Sequence, residues 1–238
     1  MINFLRKIRK GLLAENNLSK YLVYALGEII LVVLGILIAL QINTWNEGRK
    51  SKAFEMETLR QIRSNMSADK LSLKEIVNNL NQSVHASRKI LESTWTQEEK
   101  DSLQYWLGDI FQYDRFRSLT NAYEVAKSKG LDLISNKQLR FLLGDYYDSD
   151  VQNTMLSIGD IERAYIEEWQ PILQDELVEM KFKNYVRLRD ASLFKEGEKA
   201  RNLLIINKEN YHTTAADIKT LIISIDRIHD LITQELKK

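Results

Sequence analysis

Apolar residues form one uninterrupted stretch near the start of the chain, over residues 21–42. As a helix rising about 1.5 Å per residue, this stretch would extend roughly 33 Å, which matches a bilayer hydrocarbon core of about 30 Å. Residues 29–40 contain no polar side chain, so the helix would be apolar on every face, which is rare for a core helix of a soluble protein. The pattern predicts a transmembrane helix over residues 21–42.

This helix is predicted to remain in the mature protein. A secretory signal peptide has a shorter apolar region followed by a small-residue cleavage site, whereas this stretch is long and leads into Gln41-Ile42-Asn43-Thr44-Trp45. Tyr21 and Tyr24 near one end and Trp45 at the other are expected to lie at the two membrane interfaces, where amphipathic rings are enriched.

The flanking charges give a slight orientation bias. Lysine and arginine are a little more frequent before the apolar stretch than after it, which favours a cytoplasmic N-terminus. Residues 1–20 also interleave basic and apolar positions, a pattern typical of an amphipathic helix on an anionic lipid surface. We therefore expect a bacterial inner-membrane protein with a cytoplasmic N-terminus and a periplasmic C-terminal domain.

One ionisable residue, Glu28, interrupts the apolar stretch. Helical spacing places it on one stripe with Gly35 and Ala39, and Gly27 is a small neighbour. Gly35-x-x-x-Ala39 is a small-xxx-small pair that lets two helices approach closely. We interpret Gly27, Glu28, Gly35 and Ala39 as a helix–helix interface in a homo-oligomer or with a larger membrane partner. A proton- or ion-handling Glu28 and an ordinary protonated or snorkelling carboxyl are the alternatives.

After the membrane segment, apolar residues recur at nearly heptad spacing through residues 49–91, which contain no proline or glycine. This indicates a long amphipathic helix of coiled-coil character, interrupted on its apolar stripe by Asp69. The stripe consists of Leu59, Ile62, Met66, Leu73, Ile76, Leu80, Val84 and Ile90.

Capping signals predict three shorter helices. Thr96-Gln-Glu-Glu99 has the form of a capping box that starts the first. A second over residues 119–129 should stop at Gly130, and Asn136 should cap the third.

Longer patterns follow in the C-terminal half. Residues 150–180 resemble a long helix that Pro171 should kink or break. Residues 181–207 have little pattern and suggest a loop with a short helix at 194–204, and the last helix is expected over residues 214–236. The predicted fold is all-α: a basic segment (residues 1–20), a transmembrane helix (21–42), then a soluble antiparallel helical bundle (43–238).

The composition of the chain excludes several classes of function. The chain has no cysteine, which excludes disulfides, cysteine zinc ligands, iron–sulfur clusters and a cysteine nucleophile. The part after the anchor is near neutral and has no basic stripe, so no nucleic-acid partner is expected.

The remaining polar residues do not form a recognisable catalytic motif. His85, His212 and His229 are scattered, and Asp226-x-x-His229 has no second copy of the kind a di-iron bundle needs. Asp145, Asp148 and Asp150 are close in sequence but lack the spacing of a calcium loop. We therefore predict a protein that is not an enzyme and has no catalytic residue, metal site or cofactor.

Polar and aromatic residues are concentrated in residues 118–147. Tyr123, Glu124 and Arg140 could line a ligand cleft among the helices. The alternative is a network of caps and hydrogen bonds that orders the short helices.

Nearly the full length of the chain also resembles a known family, most specifically residues 20–47 and 119–147. The sequence over residues 20–47, including Gly27-Glu28, Gln41 and Trp45, and the segments Ala122-Tyr-Glu124, Leu133-Ile-Ser-Asn136 and Tyr146-Tyr147 are similar to an uncharacterised family of single-pass membrane proteins from Bacteroidetes. The resemblance implies a membrane protein with a domain of unknown function, and it implies no activity.

Two hypotheses of function follow. The first is a membrane-anchored, non-enzymatic scaffold or accessory protein, oligomeric through its membrane helix. The second is an extracytoplasmic sensor that binds a small molecule and signals through a membrane partner.

Overall fold

The computed structural model describes residues 18–238, without the side chains of Leu18, Lys20 and Tyr21. Most of the predicted basic segment, residues 1–17, and the predicted interfacial ring of Tyr21 therefore lie outside the described residues. The chain divides into two compact units, Met1–Phe54 and Glu55–Lys238. The predicted domain boundary after residue 42 stays a prediction.

The described chain is almost entirely helical, as the sequence predicts. Helix α1 comprises Leu18–Leu91, α2 Gln97–Ile110, α3 Asn121–Lys129, α4 Lys137–Asp145, α5 Val151–Ala164, α6 Gln170–Glu176 and α7 Lys199–Glu235. Two π-helical turns, Tyr146–Asp150 and Tyr165–Trp169, join α4 to α5 and α5 to α6. Short 3₁₀ helices cover Leu131–Leu133 and Ala191–Phe194, and a hairpin consists of β1 (Leu177–Lys181) and β2 (Tyr185–Leu188).

Each predicted cap is present. Thr96 and Glu99 form both halves of a capping box at α2. Gly130, with φ of 100°, follows the last residue of α3, and the Asn136 side chain accepts a hydrogen bond from the Leu139 N–H at the start of α4. These local signals need only neighbouring residues, so they can be read from sequence.

Within the second unit, α7 runs antiparallel to α1 and to the helical run α4–α6. Arg63 contacts Thr233, Lys70 pairs with Asp226, and the Arg201 guanidinium donates to the Leu91 carbonyl, so residue numbers rise on α1 as they fall on α7. The fold is therefore all-α and its long helices are antiparallel, as predicted.

The apolar stripe of α1 supplies two clusters of the core. Leu59 to Leu80 pack with residues of α3, α4, α5 and α7 in the first cluster. Ala86 and Ile90 pack with α2, Trp169, the hairpin and the first turns of α7 in the second. Asp69, which interrupts the stripe, is buried as well.

The sequence prediction was wrong for residues 177–188 and for the residue at which the last helix begins. The helix expected to reach residue 180 ends at Glu176, and residues 177–188 form the hairpin. The last helix begins at Lys199 rather than near residue 214, because Ala200, Leu204 and Tyr211 already place buried side chains on its inner face. Polar residues between them, including the buried Asn207, weaken the apolar period there.

Pro171 does not break the helical run. It lies in the first turn of α6, directly after the π turn Tyr165–Trp169. Proline cannot donate to the carbonyl four residues before it, and a π turn at this point changes the local hydrogen-bond pattern without ending the helix.

Gly108 lets the hairpin pack directly against α2. A Cβ atom on this glycine would lie 2.5 Å from the carbonyl carbon of Asn184 and 2.7 Å from the backbone nitrogen of Tyr185. Real Cβ atoms do not approach other atoms so closely, so the packing of the hairpin requires glycine here.

Candidate functional site

The apolar part of α1 is exposed in the structure. One helix among the described residues is long and apolar enough, by length and composition, to cross a membrane. No residue in its most apolar stretch is buried. A Cβ atom added at Gly27 or Gly35 would meet no neighbouring atom within 4 Å, and Ala39 is exposed. Glu28 is half-buried, and the Arg49 guanidinium lies 5.3 Å from the ring centroid of Trp45.

A groove on the second unit follows one face of α4 and the π turn after it. Its volume is about 500 Å³. The residues from this helical run recur three and four positions apart, which places them on one face: Lys137, Arg140, Phe141, Gly144, Asp145, Asp148 and Ser149. Tyr123 of α3 and Leu131 complete the lining.

The charges of the groove are sorted along its length. Lys137 and Arg140 lie toward the start of α4, Asp145 is its last residue and Asp148 lies in the π turn after it, and the apolar residues fall between. Phe141 is 67% exposed although it is a large apolar side chain. The groove therefore offers a basic end, an apolar middle and an acidic end.

Asp148 is held by two neighbours. The Tyr123 hydroxyl donates to it at 2.9 Å, and the Lys127 ammonium donates to both carboxylate oxygens at 2.8 and 2.9 Å. The bond to Lys127 lowers the pKa of Asp148, while burial and the adjacent carboxylate raise the pKa of Tyr123. Asp148 is thus ionised and already paired, which leaves Asp145 as the uncompensated acid of the groove.

Behind Tyr123, the rings of Tyr147 and Tyr146 extend toward the buried Asp69. Tyr123 stacks on Tyr147 with centroids 4.5 Å apart, and Tyr146 meets Tyr147 edge-on at 4.8 Å. The Tyr147 hydroxyl is buried and makes no hydrogen bond to any other described residue, whereas the buried Tyr146 hydroxyl lies beside Asp69 and Ser118. Both interact electrostatically with Asp69, and burial raises the pKa of each phenol.

Asp69 anchors the segment between α2 and α3. The Ser118 hydroxyl donates to its carboxylate, and the Leu119 N–H donates at 3.2 Å. Burial raises the pKa of Asp69, and these hydrogen bonds oppose the rise. One turn away on α1, the Asn65 amide donates to the Leu119 carbonyl at 3.2 Å and to the Asn121 side chain at 2.6 Å.

Two further buried carboxylates hold the segment before α4. Glu55 accepts hydrogen bonds from the Ser135 N–H and hydroxyl, both at 2.7 Å, and Glu235 accepts one from the Asn136 amide at 2.6 Å. Both glutamates are nearly inaccessible. Both glutamates occupy positions where the helical pattern expects an apolar residue, so the sequence could have indicated that they are buried. Their partners could not be predicted, because Ser135 and Asn136 lie far away in sequence.

The predicted cleft residues separate into two groups. Tyr123 and Arg140 line the groove, whereas Glu124 is exposed on α3 and does not line it. The alternative prediction, a hydrogen-bond network that orders the short helices, describes what Asp69, Asn65 and Asn136 do. A ligand in the cleft stays a prediction.

The described residues include no group of three or more His, Asp or Glu side chains arranged to hold a metal ion. Asp226 pairs with Lys70. Asp145, Asp148 and Asp150 lie within or beside the first π turn, where partial burial and then the charge of Asp145 raise the pKa of Asp150.

Comparison with known proteins gives one match. Residues 28–104 are similar to a family described as a family of unknown function (DUF6090). The match begins at Glu28, includes most of the exposed apolar segment and the stripe of α1, and ends within α2. It supports the predicted resemblance to a domain of unknown function. No curated protein and no solved structure matches the chain.

Proposed function

We propose that this protein is a single-pass inner-membrane protein of the Bacteroidetes that acts as a scaffold or accessory subunit and is not an enzyme. The observation that carries the proposal is the exposed apolar stretch of α1 with Glu28, Gly35 and Ala39 on one stripe. Side chains of this kind are stable in lipid and unstable in water. The same helix then provides buried core residues of a helical bundle.

The stripe is the surface through which copies associate. A carboxyl within a bilayer costs a few kcal/mol, so such residues face other protein rather than lipid. Gly35 and Ala39 would allow two backbones to approach closely next to Glu28, and no neighbouring atom occupies the space at Gly35. In a homo-oligomer each copy would contribute this face to the contact, whereas with a larger membrane partner only this chain would contribute it.

Cross-linking in native membranes tests this proposal. We expect a cross-linked dimer or larger complex that Gly35→Leu and Glu28→Leu each weaken. Leu37→Phe is the control, because helical spacing places Leu37 on the opposite side from Glu28 and the change also adds bulk. A monomer without any partner, or equal cross-linking in all variants, would contradict the proposal.

The proposed orientation has its own test. The chain has no cysteine, so Glu196→Cys introduces a single thiol at an exposed position of the second unit. A membrane-impermeant maleimide should label this thiol in spheroplasts before lysis. Labelling only after lysis would place the unit in the cytoplasm.

A second candidate function is a sensor that binds a small molecule. The groove lined by Tyr123 and Arg140 favours it, because ligand sites are concave and mostly apolar with a few polar groups. Such a protein would transmit binding through a membrane partner. Ligand-dependent change in the cross-linking pattern described above would support this candidate, and an unchanged pattern would count against it.

A further inference from the structure

The groove on α4 contains charged side chains that have no hydrogen-bond or ion-pair partner among the described residues. The Arg140 guanidinium makes no hydrogen bond or ion pair with another described residue, and neither does the Lys137 ammonium at the same end. The Asp145 carboxylate at the other end likewise has no hydrogen-bond donor or paired cation among the described residues, and it interacts with another acid, Asp150. Each end thus carries an unneutralised charge of opposite sign.

The floor of the groove is open because of a glycine that the fold does not require. Gly144 has ordinary helical geometry, and a Cβ there would come no closer than 4.0 Å to the nearest atom, the Tyr123 hydroxyl oxygen. Glycine in a helix costs about 1 kcal/mol relative to alanine. Internal packing gives no reason for this residue, whereas a larger side chain would fill the groove.

The spacing of the charges limits what fits. Arg140 and Asp145 are five positions apart, which is about 7.5 Å along the helix axis at ~1.5 Å per residue. An extended peptide advances about 3.3–3.6 Å per residue, so two or three residues cover this separation. The exposed ring of Phe141 and the side chain of Leu131 lie beside the path and are apolar.

We propose that the groove binds short apolar peptides of two or three residues with free termini. The peptide carboxylate faces Arg140 and Lys137, the ammonium group faces Asp145, and apolar side chains cover Phe141 and the open floor at Gly144. The proposal supplies a ligand class for the sensor function and rests on that second candidate. It does not depend on association of membrane helices.

The direct test is binding of the dipeptide Leu-Leu to the full chain in lipid nanodiscs, measured by saturation-transfer NMR with empty nanodiscs as the blank. We expect binding by the wild type and a loss of about tenfold or more in Arg140→Gln, because a charge-assisted hydrogen bond is lost. Gly144→Leu should abolish binding by filling the groove. Arg140 has no partner within the described protein, so its replacement should leave the fold intact.

Matched controls isolate the groove. Arg117→Gln removes another exposed arginine, and Gly159→Leu adds the same side chain at a helical glycine that has open space around it. Both variants should bind Leu-Leu as the wild type does. Circular dichroism establishes that each variant is folded.

Blocked peptides test the direction of binding. Leu-Leu amide, which lacks the carboxylate, should bind the wild type about tenfold more weakly, and the amide should lose nothing further in Arg140→Gln. N-acetyl-Leu-Leu should behave in the same way toward Asp145→Asn.

Three results would overturn the inference: no saturation transfer to Leu-Leu above that of empty nanodiscs, equal binding of free and blocked peptides, or unchanged binding by Gly144→Leu. Failure of the membrane proposal looks different. Loss of cross-linking specificity with retained, Arg140-dependent peptide binding would contradict the self-association of the membrane helix and leave this site in place.

Discussion

Two helical glycines in the same bundle lie in opposite surroundings. Gly108 of α2 is covered by the backbone of Asn184 and Tyr185, and a Cβ atom would collide with both. Gly144 of α4 faces a groove, and a Cβ atom would make only ordinary contact with the Tyr123 hydroxyl. The first glycine is explained by the fold, whereas the second is not.

The comparison separates packing from recognition. Around Gly108, α2, the hairpin and Trp169 enclose an apolar cluster that stabilises that end of the bundle. Around Gly144, an exposed phenylalanine and charged side chains with no partner in the described part of the chain remain accessible. Crowding therefore explains the glycine at position 108 but explains neither Gly144 nor Gly35.

The largest expected difference comes from the same substitution in the two regions. Phe111→Ala at the buried end should lower the free energy of unfolding by about 3–5 kcal/mol, because the ring is fully enclosed and packs 4.9 Å from Trp169. Phe141→Ala on the groove should change it by about 0.5 kcal/mol or less. Chemical denaturation, monitored by tryptophan fluorescence, measures both changes. Equal losses of stability would contradict the distinction between a packed end and an open groove.

A smaller effect is expected for Gly108→Ala. The added methyl group must push the hairpin away from α2, which should cost about 1–3 kcal/mol. Amide hydrogen exchange should show faster exchange in residues 177–188 in particular. A variant as stable as the wild type, with unchanged exchange in the hairpin, would show that the hairpin backbone does not pack so closely against Gly108.

Gly144→Ala should act in the opposite direction. Alanine favours helix and meets no steric obstacle here, so we expect a gain of about 0.5–1 kcal/mol in the free energy of unfolding. The melting temperature should rise accordingly. A loss of stability would show that the groove is filled by the protein itself.

The smallest effect concerns pH, through the buried Asp69 that connects to the groove by Tyr147 and Tyr123. Burial raises its pKa above the usual aspartate value of 3.8, so the folded state retains the proton longer than the unfolded state does. Its contribution to stability is therefore present below that value and is lost as pH rises through the folded pKa.

Asp69→Asn removes this titration. The stability of the variant relative to the wild type should accordingly increase between pH 4 and pH 6.5 in denaturation experiments at both values. A relative stability that falls with pH would mean that the hydrogen bonds from Ser118 and Leu119 outweigh desolvation and that the pKa is lowered.

Local signals in the sequence were sufficient for much of the fold. The capping box at Thr96, the stop at Gly130 and the cap at Asn136 involve residues three or four positions apart, and the stripe of α1 follows a simple period. The hairpin was missed because it is stabilised by contact with α2, whose Gly108 carries no local sign of that contact.

The candidate site was predictable only in part. Tyr123 and Arg140 stood out as polar residues near one another in sequence, but Asp148 and Ser149 join the face of Arg140 only because α4 continues into the π turn. The partner of Asp69 could not be predicted, since Ser118 is brought to it only by tertiary folding.

The central claim is that the membrane helix associates through the stripe of Glu28, Gly35 and Ala39. Energy transfer between copies labelled at Glu196→Cys, measured in vesicles as lipid is added, gives the dissociation constant directly. We predict transfer that falls on dilution, a constant weakened roughly tenfold by Gly35→Leu, and no change for Leu37→Phe. Absence of transfer in the wild type, or equal constants for both variants, would contradict the account.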